Sequence, residues 1–136
     1  MSRYVALIDG TVGAYGVVFP DAPGCTAMAA TQDEAIIDAA DALAEWVADE
    51  IAEGRTAPEP RSAESLLTDH DVRQAIAKGA VLVSVPLILE TGRLARANIS
   101  LDAGLLADID EAARRRGVTR SAFLATAARD KIKASA

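Results

Sequence analysis

The end of the chain constrains its fold more than any other stretch. Residues 96–101 read RANISL, an alternation of polar and apolar side chains, and two amphipathic segments follow at residues 102–117 and 119–133. Successive side chains of a strand point to opposite faces. Ala97, Ile99 and Leu101 would therefore share one face, and Arg96, Asn98 and Ser100 the other. Asp102 and Thr119 stand where helix N-caps belong, and Gly117 where a first helix ends. Leu105, Leu106, Ile109, Ala112 and Ala113 predict the inner face of that helix, and Phe123, Leu124, Ala127, Ala128 and Ile132 the inner face of the second. A single strand cannot satisfy its own backbone, and about forty residues rarely close a core unaided. The unit is expected to form by pairing with a second copy, around a dimer core of Ile99, Leu101, Leu105, Ile109, Phe123 and Leu124.

The polar face of that strand carries the chemistry of base recognition. Arginine can take guanine O6 and N7 together, asparagine can take adenine N6 and N7, and serine is permissive. Arg96, Asn98 and Ser100 are the expected base contacts of a two-stranded ribbon lying in a major groove. Thr119, Arg120 and Ser121 open the second helix, where free amides and the positive end of the dipole suit a phosphate. The three arginines 114–116 read more simply as a solvated helix end.

A formal charge of −6 would argue against nucleic acid, but it averages two unlike halves. Residues 1–90 hold 5 basic against 15 acidic residues, a balance of −10, and residues 91–136 hold 9 against 5, a balance of +4. The division predicts two domains, 1–90 and 91–136, joined by a linker at 90–95, with partners of opposite charge: a basic protein for the first and DNA for the second.

In the acidic part, residues 3–8, 15–19 and 25–30 read as strands, the first two as a hairpin around the glycines at 10, 13 and 16. The run 20–24, Pro-Asp-Ala-Pro-Gly, is a rigid turn. Thr31 and Glu34 form a capping-box pattern ahead of a helix that ends at Gly54, with Ile36, Ile37, Ala40, Leu43, Ala44, Val47 and Ile51 as its apolar face. Residues 55–62 read as a loop, Thr68 as the cap of a shorter helix, and residues 80–89 as a strand that Pro86 places at an edge or bulge. The expected order is β-β-β-α-β with a short helix before the last strand, an α+β unit with one main helix on one face of a small antiparallel sheet.

The stretch YGVVFPDAPGC, from Tyr15 to Cys25, resembles the second strand and following turn of the HicB antitoxin family. The helix from Gln32, with Asp33, Glu34 and Ala35 at its start and Trp46 near its middle, is similar to that family's main helix. The similarity covers about residues 3–60. It implies a partial ribonuclease-H-like fold that binds and neutralises a small, basic, mRNA-cleaving HicA-like toxin. The tail is similar to ribbon-helix-helix repressors, a domain with which many members bind a palindromic operator and repress their own operon. The short, glycine-rich turn at 10–16 departs from the family pattern, because it carries no acidic cluster.

Other function classes find less support. Metal-dependent hydrolysis of the ribonuclease-H type needs several converging carboxylates. Asp9 is one candidate with no evident second, so no catalytic residue is expected, and the weak nuclease remains only an alternative. His70 is the sole histidine and Cys25 the sole cysteine, so neither a metal site nor a disulfide is expected, and no cofactor is implied. A stand-alone repressor with a ligand-sensing N-terminal domain is the other alternative. No run of about eighteen apolar residues suggests a membrane span, and the lone thiol suits a reducing cytoplasm. The chain is expected to be a cytoplasmic antitoxin that forms a homodimer or, through its N-terminal sheet, a tetramer.

Overall fold

The computed structural model describes residues 1–134, which fall into two compact units, Met1–Leu89 and Glu90–Ile132. The first unit is built on four antiparallel strands, β1 (Arg3–Thr11), β2 (Ala14–Val18), β3 (Thr26–Ala29) and β4 (Val81–Pro86), in the spatial order β3-β2-β1-β4. β1 and β2 form a hairpin whose register pairs Thr11 with Ala14 and Leu7 with Val18, leaving Val12 and Gly13 as the turn. Gly10, at φ 119°, is required there: a Cβ would lie 2.1 Å from the Ala14 carbonyl oxygen. The first strand thus runs past Asp9, where the sequence suggested it would stop. β4 is an edge strand, one of the two readings that Pro86 allowed, and it ends on Pro86, short of the 80–89 run the sequence suggested, because proline cannot donate to a further ladder.

Helix α1 (Gln32–Ala52) begins where Thr31 Oγ1 accepts from the Glu34 amide at 3.2 Å. It ends in a Schellman arrangement, with Gly54 at φ 78° and the Arg55 amide donating to the Glu50 carbonyl at 2.9 Å. Its buried face differs from the one the large aliphatics suggested. Ala35, Ala39, Ala40, Leu43 and Val47 are buried, while Ile36 and Ile37 are only partly covered and Ile51 is 54% exposed. Small side chains let the helix lie close to Tyr4, Ala6, Ile8, Val17 and Val85 of the sheet. The turn after β2 packs into the same core through Phe19, Ala22 and Cys25. Trp46 closes its edge, donating from Nε1 to the Pro23 carbonyl at 3.2 Å.

The opposite face of the sheet is also used, by the shorter helical segment that the sequence placed after the main helix. After the loop at 53–62 come α2 (Ala63–Leu66) and α3 (His70–Ala77). Leu66, Val72 and Ala80 pack there against Leu7, with Val5 and Leu82 beside them. The cap of α3 is Asp69 and not Thr68: Asp69 Oδ1 accepts from the amides of Asp71 and Val72 at 2.9 and 3.3 Å. Thr68 instead donates its hydroxyl to the Ser65 carbonyl at 2.7 Å, closing α2. The loop is tied down twice. Tyr4 donates its hydroxyl to the Pro58 carbonyl at 2.5 Å, and Arg61 clasps Asp21 through its backbone amide (2.8 Å) and its Nε (2.7 Å). Burial pushes the Tyr4 phenol above its ordinary pKa, and likewise the Cys25 thiol.

The second unit holds α4 (Ala103–Arg115) and, up to Ile132, α5 (Arg120–Ala134). Asp102 caps α4 by accepting from the Gly104 and Leu105 amides at 2.9 and 3.1 Å. Gly117, at φ 68°, ends it, with the Val118 amide donating to the Ala113 carbonyl. Among the described residues of this unit only Ile109 and Ala113 are buried apolar side chains. Residues 96–101 form no strand within the single chain, since no described segment pairs with them. A β-ladder needs a partner, and this unit offers none of its own. No helix among the described residues is long and apolar enough to cross a membrane.

Candidate functional site

The tail displays its sequence-predicted residues openly. Arg96, Asn98 and Ser100 are all exposed and follow one another at every second position before the α4 cap. The intervening apolar residues are exposed as well: Ile99 is 64% accessible, Leu101 38% and, one turn into α4, Leu105 49%. Ile109 is buried, and Phe123 and Leu124 are half-buried. The six residues expected to form a dimer core thus divide into an inner group, already packed, and an outer group open to water.

The start of α5 is organised by Thr119, whose Oγ1 accepts from the Ala122 amide at 3.1 Å while its carbonyl accepts from Phe123. Ser121 is exposed beside it. Arg120 makes a contact the sequence did not announce. Its Nε and a terminal nitrogen donate to the two carboxylate oxygens of Asp110, each at 2.7 Å. This pair holds the Asp110 carboxyl below its ordinary pKa and the guanidinium above its own. Asp110 lies on the preceding helix, ten residues away, so no local pattern in the chain marks the pairing. Arg116 stacks over Phe123 at 5.6 Å from the ring centroid, and Arg129 pairs with Glu90. Arg114 and Arg115 lie exposed in the last turn of α4, the end of the dipole that favours cations.

In the first unit, the two chemically suggestive residues lie on different elements. Asp9 is exposed within β1, opposite Gly16 of β2, and His70 is exposed at the start of α3. Among the described residues, no group of three or more His, Cys, Asp or Glu side chains converges as metal ligands would. The unit also holds a cleft of about 330 Å³. Leu7, Val18, Phe19, Val72 and Ala75 form apolar walls, and Arg61, Asp69 and Asp71 stand around it. Asp69 is held below its ordinary pKa first by the Val72 and Asp71 amides it accepts from, then by Arg61.

An acidic α+β body with an apolar cleft, followed by a basic two-helix unit that exposes alternating apolar and hydrogen-bonding residues, defines a protein that works by binding. The comparisons with known proteins give that class a family. The model of the HicB-like antitoxins of bacterial toxin–antitoxin systems matches residues 4–128, and the chain belongs to that family. Among solved structures, the crystal structure of the Burkholderia pseudomallei antitoxin HicB is 29% identical over 94% of each chain, with a TM-score of 0.53. The crystal structure of antitoxin HicB3 is 27% identical over 96% of this chain and 98% of that one, with a TM-score of 0.56. A chain from a HicA3–HicB3 toxin–antitoxin complex shares the fold at 24% identity and a TM-score of 0.53, over 64% of this chain and 99% of that one. No curated protein gave a significant match.

Proposed function

We propose that this antitoxin divides its work between its two units. Met1–Leu89 binds and neutralises a small basic HicA-like toxin that cleaves mRNA. The tail dimerises as a ribbon-helix-helix domain and represses its own operon at a palindromic operator. The observation that carries the DNA-binding reading is the unpaired segment 96–101, where Ile99 and Leu101 are exposed beside exposed Arg96 and Asn98. An extended segment with an apolar side and a hydrogen-bonding side is half of a two-stranded ribbon. A second copy would satisfy its backbone, cover Ile99, Leu101 and Leu105, and present two sets of Arg96, Asn98 and Ser100 to base edges. Burial of these three aliphatic side chains per copy, at about 1.5–3 kcal/mol each for full burial, favours association.

The charge division supports the other half of the reading. Residues 1–90, at −10, attract a basic partner and are repelled by phosphate, whereas residues 91–136, at +4, have the opposite preference. The HicA3–HicB3 complex is of the kind expected for the toxin-bound state. The decisive experiment co-expresses the full chain, and separately residues 1–90, with the small basic protein from the neighbouring reading frame. Binding of each to the promoter DNA is then measured. Both forms should co-purify with the toxin and restore growth, and only the full chain should bind the promoter. A truncated form that fails to neutralise would overturn the division of labour.

A further inference from the structure

The second face of the sheet is only half covered. Side chains on this face alternate along each strand: Val5, Leu7 and Asp9 on β1, Gly16 and Val18 on β2, Thr26 and Met28 on β3. Helices α2 and α3 pack over Val5, Leu7 and Leu82, on the β1–β4 side. On the β2–β3 side the sheet is left open by the described residues, and Val18 is 46% exposed and Met28 73%. The gap between the uncovered shelf and α3 is the 330 Å³ cleft, with Leu7, Val18 and Val72 among its walls.

The charges around this shelf are mostly of one sign. Asp9 lies over Gly16, its Oδ1 3.7 Å from where a Cβ at Gly16 would sit. Asp69 and Asp71 line the cleft, and Asp21 is reached through Arg61. Two cations belong to this face: Arg61, already engaged by Asp21 and Asp69, and Arg3, exposed at the far end of β1, six residues before Asp9. Arg73 and Lys78 belong to the α3 segment but do not line the cleft. Asp9 and Asp71 have no cationic partner among the described residues.

We infer that this shelf is the surface on which the basic toxin docks, an inference that rests on the antitoxin reading above. One large apolar side chain of the toxin fills the cleft against Leu7, Val18 and Val72, and lysines or arginines around it meet Asp9 and Asp71. A stable protein interface buries roughly 1,200–2,000 Å² in total, so the shelf is the anchoring centre of a larger contact. The acidic rim speeds encounter and excludes partners of like charge.

The test uses the full-length protein and the purified basic toxin of the neighbouring reading frame, with affinity read by calorimetry. Met28→Lys and Val18→Lys place a like charge on the shelf, and Glu45→Lys on the exposed side of α1 serves as the control. Each shelf variant should lower affinity at least tenfold while keeping the parent circular dichroism and melting profile. Met28→Leu and Glu45→Lys should stay within twofold. Shelf variants that bind like the parent would overturn the docking surface and leave the antitoxin reading intact. Loss of a higher oligomer by the free protein, with toxin affinity unchanged, would assign the shelf to a second copy and also overturn the proposal. If the unaltered protein binds no toxin, the antitoxin reading and this surface fall together.

Discussion

Arg120, at the first position of α5, is gripped by both oxygens of Asp110 on α4, with two donor–acceptor distances of 2.7 Å. The pairing fastens the two helices of the tail to each other. It also occupies the guanidinium to which the sequence assigned a phosphate contact. Exposed ion pairs contribute little to stability, so on the proposed DNA-binding reading Asp110 is best tested through DNA affinity. Asp110→Asn should release Arg120 and tighten DNA binding several-fold at low salt. The salt dependence should steepen by up to about 0.9 in log–log slope for each phosphate that the freed arginine neutralises. Titrations at several salt concentrations check this, and an unchanged slope would mean that Arg120 stays bound elsewhere.

The proposed ribbon would read bases through Arg96 and Asn98. Arg96→Ala and Asn98→Ala should each cost about 1–3 kcal/mol of operator affinity, with binding to unrelated DNA largely retained. Competition between operator and scrambled duplex separates the two effects. Equal losses on both duplexes would assign these side chains to the backbone of DNA instead.

The dimer is expected to rest on apolar residues that the single chain leaves in water. Ile99→Asp puts a charge where a second copy would bury an aliphatic side chain, and the first unit does not depend on that residue. Sedimentation should show the dimer weakened by more than tenfold and promoter binding lost, while the melting of the first unit is kept. A variant that remains a dimer would remove Ile99 from the interface.

Acid should loosen the first unit at Asp69, and the tail only slightly at the exposed Asp110. Asp69 and Asp110 are held below the ordinary aspartate value of 3.8, so each contributes stability in full above that value and loses it as pH falls through the lowered one. The melting temperature should therefore fall as pH drops below about 4. Asp69→Asn keeps a competent cap without the titrating charge, and it should flatten the acid limb of the stability curve. Superimposable limbs for parent and variant would deny Asp69 that role.

The hairpin between β1 and β2 depends on one glycine. Gly10→Ala sets a methyl against the Ala14 carbonyl at 2.1 Å on a backbone with φ 119°, and neither the chain nor the partner strand can yield cheaply. Destabilisation of at least about 1–3 kcal/mol is expected from the backbone conformation alone, measured by urea unfolding. Gly13→Ala meets no neighbouring atom and should cost less.

Much of this molecule is written in local chemistry. The turn from Phe19 to Cys25, the capping by Thr31, Asp102 and Thr119, and the glycines that end α1 and α4 are short-range signals, and the elements form where these residues place them. Pro86 likewise foretold an edge strand, because a missing amide has the same consequence in any fold. The family resemblance was legible for the same reason, carried by contiguous residues between Tyr15 and Trp46 and confirmed by the match over residues 4–128.

Tertiary structure decided the matters that depend on which surfaces meet. Hydrophobic periodicity marked Ile37 and Ile51 as core, yet the sheet selected the alanine side of α1, because a flat partner rewards close approach as well as side-chain size. Thr68 and Asp69 were both competent caps, and packing of Leu66 and Val72 on the second face set the helix start at the aspartate. The Asp110–Arg120 pair, the Asp21–Arg61 clasp and the half-open shelf at Val18 and Met28 join residues separated by ten to forty positions. Sequence alone supplied most of the elements, the caps at Thr31, Asp102 and Thr119, and the charge of each half. Only the fold settled which faces were buried and which were left open, because burial belongs to pairs of surfaces and no single segment encodes its partner.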